Sequence, residues 1–165
     1  MQHGVACTNS ETRLSGPWWL WHDAQNEGTA AKLWLRVPSE AQPAPVPGIA
    51  QQVYPRAQGV FWYYHRFTPE ALPERGHRAW LSFAGVEYLA EVWLNGQPIG
   101  RHEGSEVPFQ FDVTAVLAFR IKNVVFHLKR WNNPILDCIP PHGYPDKNIA
   151  ASRLNLLKIH VKSLL

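Results

Sequence analysis

The chain has 165 residues, with 16 Lys and Arg against 13 Asp and Glu, for a net charge of +3 at neutral pH. This length predicts one domain able to bury a core without disulfides or metals, with no room for a second, catalytic domain. The basic residues are spread along the chain without a dense block, which disfavours nucleic-acid binding. No apolar run approaches the ~20 residues needed to cross a bilayer, and residues 1–11 lack an apolar signal segment. We therefore expect a soluble chain without a membrane partner, in an unknown compartment.

Aromatic residues and prolines are frequent, with eight Trp, seven Phe, five Tyr and fourteen Pro. Short aromatic runs separated by Pro and Gly favour an all-β sandwich or barrel over a helical bundle. The two cysteines, Cys7 and Cys138, have no paired spacing, and none of the eight His shows the short spacing of a zinc site. We expect no metal site and no cofactor.

The first third of the chain predicts an arm, two strands and a long loop. Residues 1–12 are polar and patternless and are expected to form a flexible arm, with a single domain over residues 13–165. Strands are predicted over 14–22, which is rich in Trp, and over 32–37, where Leu33, Leu35 and Val37 alternate with Lys32, Trp34 and Arg36. Residues 38–55 carry five prolines and predict a long ordered loop, of a length that usually has a function.

The middle of the chain predicts a central strand and a hairpin. Residues 60–67 have aromatic side chains on both faces of a period-two pattern, which indicates a central strand that is covered on both sides. The next strand is predicted over residues 78–84. Alternation over 86–94 predicts another strand. Asn95-Gly96 then suits a type I′ turn into 97–101, and a third strand is predicted over 109–113.

The last third predicts two strands around a second proline-rich loop at residues 132–148. One strand is predicted over 123–131. The other is atypical: Leu157, Ile159 and Val161 alternate with Lys158, His160 and Lys162. A basic outer face suits an edge strand, so we predict that these residues fill the final strand position of the domain at a sheet edge.

Several motifs in these elements resemble one family. They are Tyr88–Gly96 (YLAEVWLNG), Gly100–Gly104 (GRHEG) and Pro108–Thr114 (PFQFDVT), with Leu14-Ser15-Gly16 and Val46-Pro47-Gly48 upstream. Together they resemble the amino-terminal sugar-binding domain of glycoside hydrolase family 2, which includes β-galactosidases and β-glucuronidases, over roughly nine-tenths of the chain. The resemblance implies a jelly-roll β-sandwich of the galactose-binding type, with about eight to ten strands.

Catalysis by this chain alone is not expected. Glycoside hydrolysis needs two carboxylates across the scissile bond, and the resemblance implies that both come from a downstream barrel. The chain's own pairs, Glu87 with Glu91 and Glu103 with Glu106, have the spacing of solvated strand or loop neighbours. We predict no catalytic residue.

Sugar-binding candidates fall at turns, loops and tryptophans. The resemblance implies that Asn95 reaches toward a sugar in a neighbouring barrel, although an Asn-Gly turn needs no such role. His102 and Glu103 either bracket a hydroxyl or, the favoured interpretation, pin their loop. Trp93 and Trp131, like Trp62, are candidate stacking platforms or packing residues.

The second proline-rich loop supplies two further candidates. Asn132-Asn133-Pro134 followed by Pro140-Pro141-His142-Gly143 resembles the β-glucuronidase branch, in which such a loop carries a sugar-contacting Asp. The resemblance points to Asn133 and Asp146 here. A solvated loop carboxylate is the alternative interpretation of Asp146.

Taken together, the sequence predicts a non-catalytic carbohydrate-binding domain whose partner is a β-linked glycoside. Two alternatives stay open. One is a structural or oligomerisation module that contacts a catalytic barrel domain or a second copy in a homo-oligomer. The other is a fragment that contributes pocket residues to a glycosidase active site.

Overall fold

The computed structural model describes residues 10–69, 73, 76–104, 107–118, 122–129 and 153–163. These residues form eleven strands joined by short 3-10 turns. In chain order the strands are β1 (Ser10–Arg13), β2 (Trp18–Asp23), β3 (Gln42–Ala44), β4 (Gly48–Ile49), β5 (Val60–Phe67), β6 (His77–Val86), β7 (Leu89–Leu94), β8 (Gln97–Glu103), β9 (Phe109–Asp112), β10 (Lys122–Lys129) and β11 (Arg153–Ser163). The 3-10 turns are Leu33–Leu35, Ala50–Gln52 and Val116–Ala118.

The strands form two antiparallel sheets that enclose one core. The six-stranded sheet has the order β3-β2-β5-β10-β7-β8, and the five-stranded sheet has β1-β11-β6-β9 with β4 also paired to β11. Leu20 and Phe61 from the first sheet and Leu81 and Phe83 from the second are at most 1% exposed and belong to one apolar cluster. The predicted all-β sandwich is confirmed.

Strand β5 occupies the interior of the six-stranded sheet, between β2 and β10, as its sequence predicts. Its inward side chains, including Phe61 and Tyr63, pack in the core between the sheets. Its outward side chains Val60, Trp62 and Tyr64 are also buried, in a second cluster on the outer face. The strand has aromatic residues on both faces because each face packs in a buried cluster.

The β7–β8 hairpin confirms the predicted turn. Asn95 and Gly96 have φ values of 52° and 78°, which are those of a type I′ turn. The predicted strand over 86–94, however, is wrong at its start, because β6 ends at Val86 in one sheet and β7 begins at Leu89 in the other. Alternation continues across this crossing because Val86 and Ala90 both face the shared core. Period two alone therefore does not reveal that the chain changes sheet.

The predicted strand over 32–37 is also wrong. Lys32 has a φ of 53°, and the 3-10 turn Leu33–Leu35 follows it. The segment crosses the outer face of the six-stranded sheet, where Leu33 is buried while Leu35 and Val37 are 63% and 48% exposed. The apolar alternation therefore arises from one residue that covers the sheet and two that lie in solvent.

The two ends of the described chain pair with each other. Strand β1 (Ser10–Arg13) pairs antiparallel with β11. Residues 10–12 of this strand were expected to belong to a flexible arm. Residues 1–9 lie outside the described residues. The predicted strand over 157–162 is confirmed within β11, but its edge position is wrong because β11 lies between β1 and β6. The amino-terminal strand supplies the outer partner that a sequence pattern does not reveal.

The first proline-rich segment, predicted as a long ordered loop, contains two short strands. Residues 38–55 contain β3, which pairs with β2, β4, which pairs with β11 of the other sheet, and the 3-10 turn Ala50–Gln52. The second proline-rich loop, 132–148, lies outside the described residues. Among those described, no helix has the length and apolar character needed to span a membrane.

Candidate functional site

Asn95 lies at the tip of the β7–β8 hairpin and is half-buried. A Cβ on the neighbouring Gly96 would lie 2.9 Å from Leu35 Cδ2, and the φ of 78° at this position also favours glycine. The turn is therefore supported from one side by the connection that crosses the outer face. This support holds Asn95 at one end of the sandwich.

His102 and Glu103 lie at the opposite end of the same hairpin. Glu103 pairs with Leu89 while the Asn95 turn follows Leu94, so the two candidate positions are roughly 15–20 Å apart along the strands. The His102 ring stacks on Phe109 with centroids 3.9 Å apart, and Glu103 accepts a 3.2 Å hydrogen bond from Arg101. These contacts hold both side chains against neighbouring residues of the domain and do not bring the pair to Asn95, so their role stays a prediction.

Trp93 lies within a layer of stacked tryptophans on the outer face of the six-stranded sheet. It is 9% exposed, and its ring centroid lies 5.4 Å from that of Trp34 and 5.5 Å from that of Trp62. Trp62 is fully buried. Both rings contribute to packing within this domain. The remaining candidates, Trp131, Asn133 and Asp146, lie outside the described residues and stay predictions.

Asp23 organises this outer layer, and the sequence analysis missed it. Its carboxylate is 2% exposed; Oδ1 accepts the Glu27 N–H at 2.9 Å, and Oδ2 accepts the Gly28 N–H at 2.8 Å and Trp62 Nε1–H at 3.1 Å. The connection after β2 is thereby tied to the central strand. The available signal was an acid directly after a Trp-rich strand and five residues before a glycine, a pattern typical of a carboxylate-capped turn.

Burial is the main cause that raises the pKa of the Tyr64 hydroxyl, with a smaller contribution from the Asp23 charge. Among the described residues this hydroxyl has no hydrogen-bond partner. Tyr64 therefore stays neutral and contributes packing on the outer face rather than an ionisable group.

An apolar cleft of about 620 Å³ opens between β2 and the connection over residues 34–41. Three of the four large apolar side chains that are exposed in the described part of the chain line it: Trp19 at 41%, Leu35 at 63% and Val37 at 48%. Leu35 also contacts the Asn95–Gly96 turn. We call this surface the tip-side cleft; it places exposed apolar area beside the hairpin tip.

Metal binding finds no support in the described ranges, where no group of three His, Cys, Asp or Glu side chains is arranged to hold an ion.

The chain matches a sequence family described as glycosyl hydrolase 2 galactose-binding domain-like, over residues 40–151. A β-glucuronidase of Paenibacillus borealis is 30% identical over 128 residues, which cover 72% of this chain and 21% of that protein. A β-galactosidase of Thermoanaerobacter pseudethanolicus is 33% identical over 60 residues, which cover 36% of this chain and 8% of that protein. The chain thus spans about a fifth or less of the length of these curated relatives.

Solved structures share the fold. A β-glucuronidase of an uncultured Clostridium sp. superposes with a TM-score of 0.77 at 22% identity, covering 94% of this chain and 29% of that one. The β-glucuronidase of Ruminococcus gnavus in complex with D-glucuronic acid gives a TM-score of 0.74 at 21% identity, covering 94% and 30%.

Proposed function

The chain belongs to the glycosyl hydrolase 2 galactose-binding domain-like family, and from that premise we propose that it is a non-catalytic carbohydrate-binding domain that works beside a glycosidase barrel. Relatives named β-galactosidase and β-glucuronidase support β-linked glycosides as the ligand class. The observation that carries the proposal is the position of Asn95, held in a type I′ turn at the hairpin tip beside exposed apolar surface.

Asn95 suits the recognition of a sugar that is bound mainly by another domain. A carboxamide contains one acceptor and two donors, groups of the kind that pair with the hydroxyls of a pyranose ring. The positive φ and the contact between Leu35 and Gly96 fix the backbone before any ligand binds. Little conformational entropy is then lost when the contact forms, which favours a role at the rim of a pocket completed by the barrel.

The tip-side cleft suits the docking of that barrel. Trp19, Leu35 and Val37 leave apolar area in water that burial against a partner would stabilise by about 25 cal/mol per Å². Because Leu35 contacts the hairpin tip, a barrel bound there would lie next to Asn95. Docking and sugar contact would thus occur on the same side of the sandwich.

The test is a chimeric glycosidase in which this chain replaces the matching domain of a β-glucuronidase relative. Asn95→Gly removes the carboxamide but keeps a residue that accepts the positive φ of the turn. Loss of one hydrogen bond is expected to lower kcat/KM by about 2- to 12-fold. Unchanged kcat/KM in this variant, with an intact fold, would overturn the role of Asn95.

A second candidate function is a structural or oligomerisation module, which the exposed apolar residues of the tip-side cleft also support. Light scattering on the 165-residue chain separates the two, with Val37→Asp as the probe variant. Self-association that Val37→Asp abolishes, together with an Asn95→Gly chimera of full activity, would favour this module over the carbohydrate-binding role.

A further inference from the structure

A second cleft, of about 760 Å³, lies on the other side of the molecule from the hairpin. It is bounded by β2 and by the proline-rich segment 38–55, at the β3 edge of the six-stranded sheet, whereas the hairpin forms the opposite edge. The side chains that matter for its chemistry are Trp21, His22, Glu40, Gln42, Gln52 and Tyr54. We call it the edge cleft; nothing in the proposed role of Asn95 uses it.

Two amides in the edge cleft are each held at one end, which leaves the other end for a ligand. Gln42 Nε2 donates to the Glu40 carbonyl at 3.0 Å, so its Oε1 remains an acceptor. Gln52 Oε1 accepts the Ile49 N–H at 2.9 Å, so its Nε2 remains a donor. The Glu40 carboxylate is exposed and has no ion pair with any described residue. One acceptor and one donor, each held by a hydrogen bond, thus share this space with one exposed carboxylate.

Aromatic rings supply the apolar part of the same cleft. Trp21 and Tyr54 are both half-buried, and the Tyr54 hydroxyl donates to the Leu20 carbonyl at 3.1 Å, which fixes the ring. His22 is held by the Gln58 carbonyl at 2.9 Å and stacks on Phe61. A ring face beside amide and carboxylate groups is the combination that binds the apolar face and the hydroxyls of a pyranose.

We propose that the edge cleft is a carbohydrate-binding site in its own right and that it takes a neutral pyranoside. Glu40 is the charged residue of the lining, and neither Lys nor Arg is among the described residues that form it. A carboxylated sugar would therefore meet a like charge without a compensating cation, whereas a neutral ring would offer hydroxyl donors to Glu40. The proposal rests on the proposed function only in taking the ligand to be a carbohydrate.

The first experiment titrates the full 165-residue chain with methyl β-D-galactopyranoside, methyl β-D-glucopyranoside and methyl β-D-glucuronide, followed by protein NMR and tryptophan fluorescence. We expect saturable binding of a neutral glycoside with a Kd on the order of 1 mM, and binding of the glucuronide at least ~10-fold weaker. Absence of saturation by both neutral glycosides at tens of millimolar, or equal binding of the glucuronide, would overturn the proposal.

Variants then assign the binding to the edge cleft. Gln52→Glu keeps the oxygen that accepts the Ile49 N–H but removes the free donor, and Trp21→Ala removes the ring; each is expected to weaken binding about 5- to 10-fold. Trp19→Ala, on the same strand but in the tip-side cleft, is the matched control and should bind as the parent does. Parent-like binding by Gln52→Glu and Trp21→Ala, with thermal unfolding showing both folded, would sink the assignment.

The two proposals fail separately. The chimera tests the Asn95 turn, and glycoside titration of the isolated chain tests the edge cleft, which lies at the opposite edge of the sheet. If kcat/KM of the chimera is unchanged by Asn95→Gly while the isolated chain still binds glycosides in the edge cleft, only the proposed function is contradicted.

Discussion

The two faces of the six-stranded sheet are both buried, but by different means. The inner face packs against the second sheet through side chains such as Leu20 and Phe61, which meet Leu81 and Phe83 across the core. In the part of the chain that the structure describes, the outer face is covered by the connection after β2, through stacked tryptophans and the buried carboxylate of Asp23. The inner face therefore depends on sheet-to-sheet packing, and the outer face on ring stacking together with a few directional hydrogen bonds.

This difference shows how a connection without regular secondary structure covers a sheet. The segment after β2 buries Leu33 and Trp34 against the sheet, and the Gly28 N–H and Trp62 Nε1–H converge on Asp23. A Cβ on Gly28 would collide with Trp62 Nε1, so this close approach of the backbone to the ring needs glycine. Such a layer leaves exposed apolar residues at its margin, and the tip-side cleft forms there.

The largest expected effect is on the inner face. Phe61→Ala removes a fully buried ring and is expected to lower the free energy of unfolding by about 3–5 kcal/mol through lost packing and the cavity left behind. Urea denaturation measures the loss. Phe61→Leu, which keeps most of the volume, should lose much less. A loss below about 1 kcal/mol for Phe61→Ala would contradict the assignment of this face as the main core.

The next effect is on the outer face. Asp23→Ala leaves the Glu27 and Gly28 N–H groups and Trp62 Nε1–H without their acceptor, and is expected to cost about 2–4 kcal/mol. Tryptophan emission should shift to longer wavelength in the native state as the layer loosens. Asp23→Asn keeps one acceptor oxygen and should lose less. An unshifted emission spectrum in Asp23→Ala would show that stacking alone holds the connection.

A smaller effect of opposite sign is expected at Tyr64. Its hydroxyl is buried without a partner among the described residues, so Tyr64→Phe is expected to be neutral or to stabilise the fold by up to about 1 kcal/mol. Tyr54→Phe is the matched comparison, because it removes a hydroxyl bonded to the Leu20 carbonyl and should destabilise by about 1 kcal/mol. Equal destabilisation by both changes would show that the Tyr64 hydroxyl has a stabilising role.

The smallest effect concerns pH. Burial lowers the pKa of His65 below its ordinary 6.5, and the hydrogen bond to the Pro17 carbonyl opposes this only partly. The stability linked to a neutral His65 is therefore retained above the unfolded-state pKa, and it is lost as pH falls through 6.5 toward the lower folded-state pKa.

Melting temperatures recorded between pH ~8 and ~5 test this link, with His65→Phe as the comparison because Phe keeps a ring beside Trp18. The parent should lose more Tm than the variant as pH falls. Parallel profiles for the two proteins would show that His65 does not contribute to the pH dependence.

Strands with strong local patterns could be predicted from the sequence. The two-faced aromatic pattern of β5, the Asn95–Gly96 turn and the alternation in β11 are decided by backbone and side-chain preferences within a few residues. Boundaries that depend on which sheet a strand joins were missed, as between Val86 and Leu89, because alternation is the same on either side of the crossing.

The candidate site was predicted less well than the fold. Asn95 was found because its turn chemistry is local, but Asp23 was not, since its partners Gly28 and Trp62 become neighbours only when the outer layer forms. The edge cleft was likewise not predicted, because Trp21 and Gln52 are far apart in sequence. Both line this cleft once β2 pairs with β3.

The sequence by itself determined the β class, the central strand, the hairpin turn and the family resemblance, since each depends on period, turn residues or contiguous motifs. Only the tertiary structure decided that residues 32–37 cover a sheet instead of joining one, and that β11 lies inside a sheet. Both outcomes depend on which surface is left uncovered once the strands pair, a property of long-range packing that no local pattern encodes.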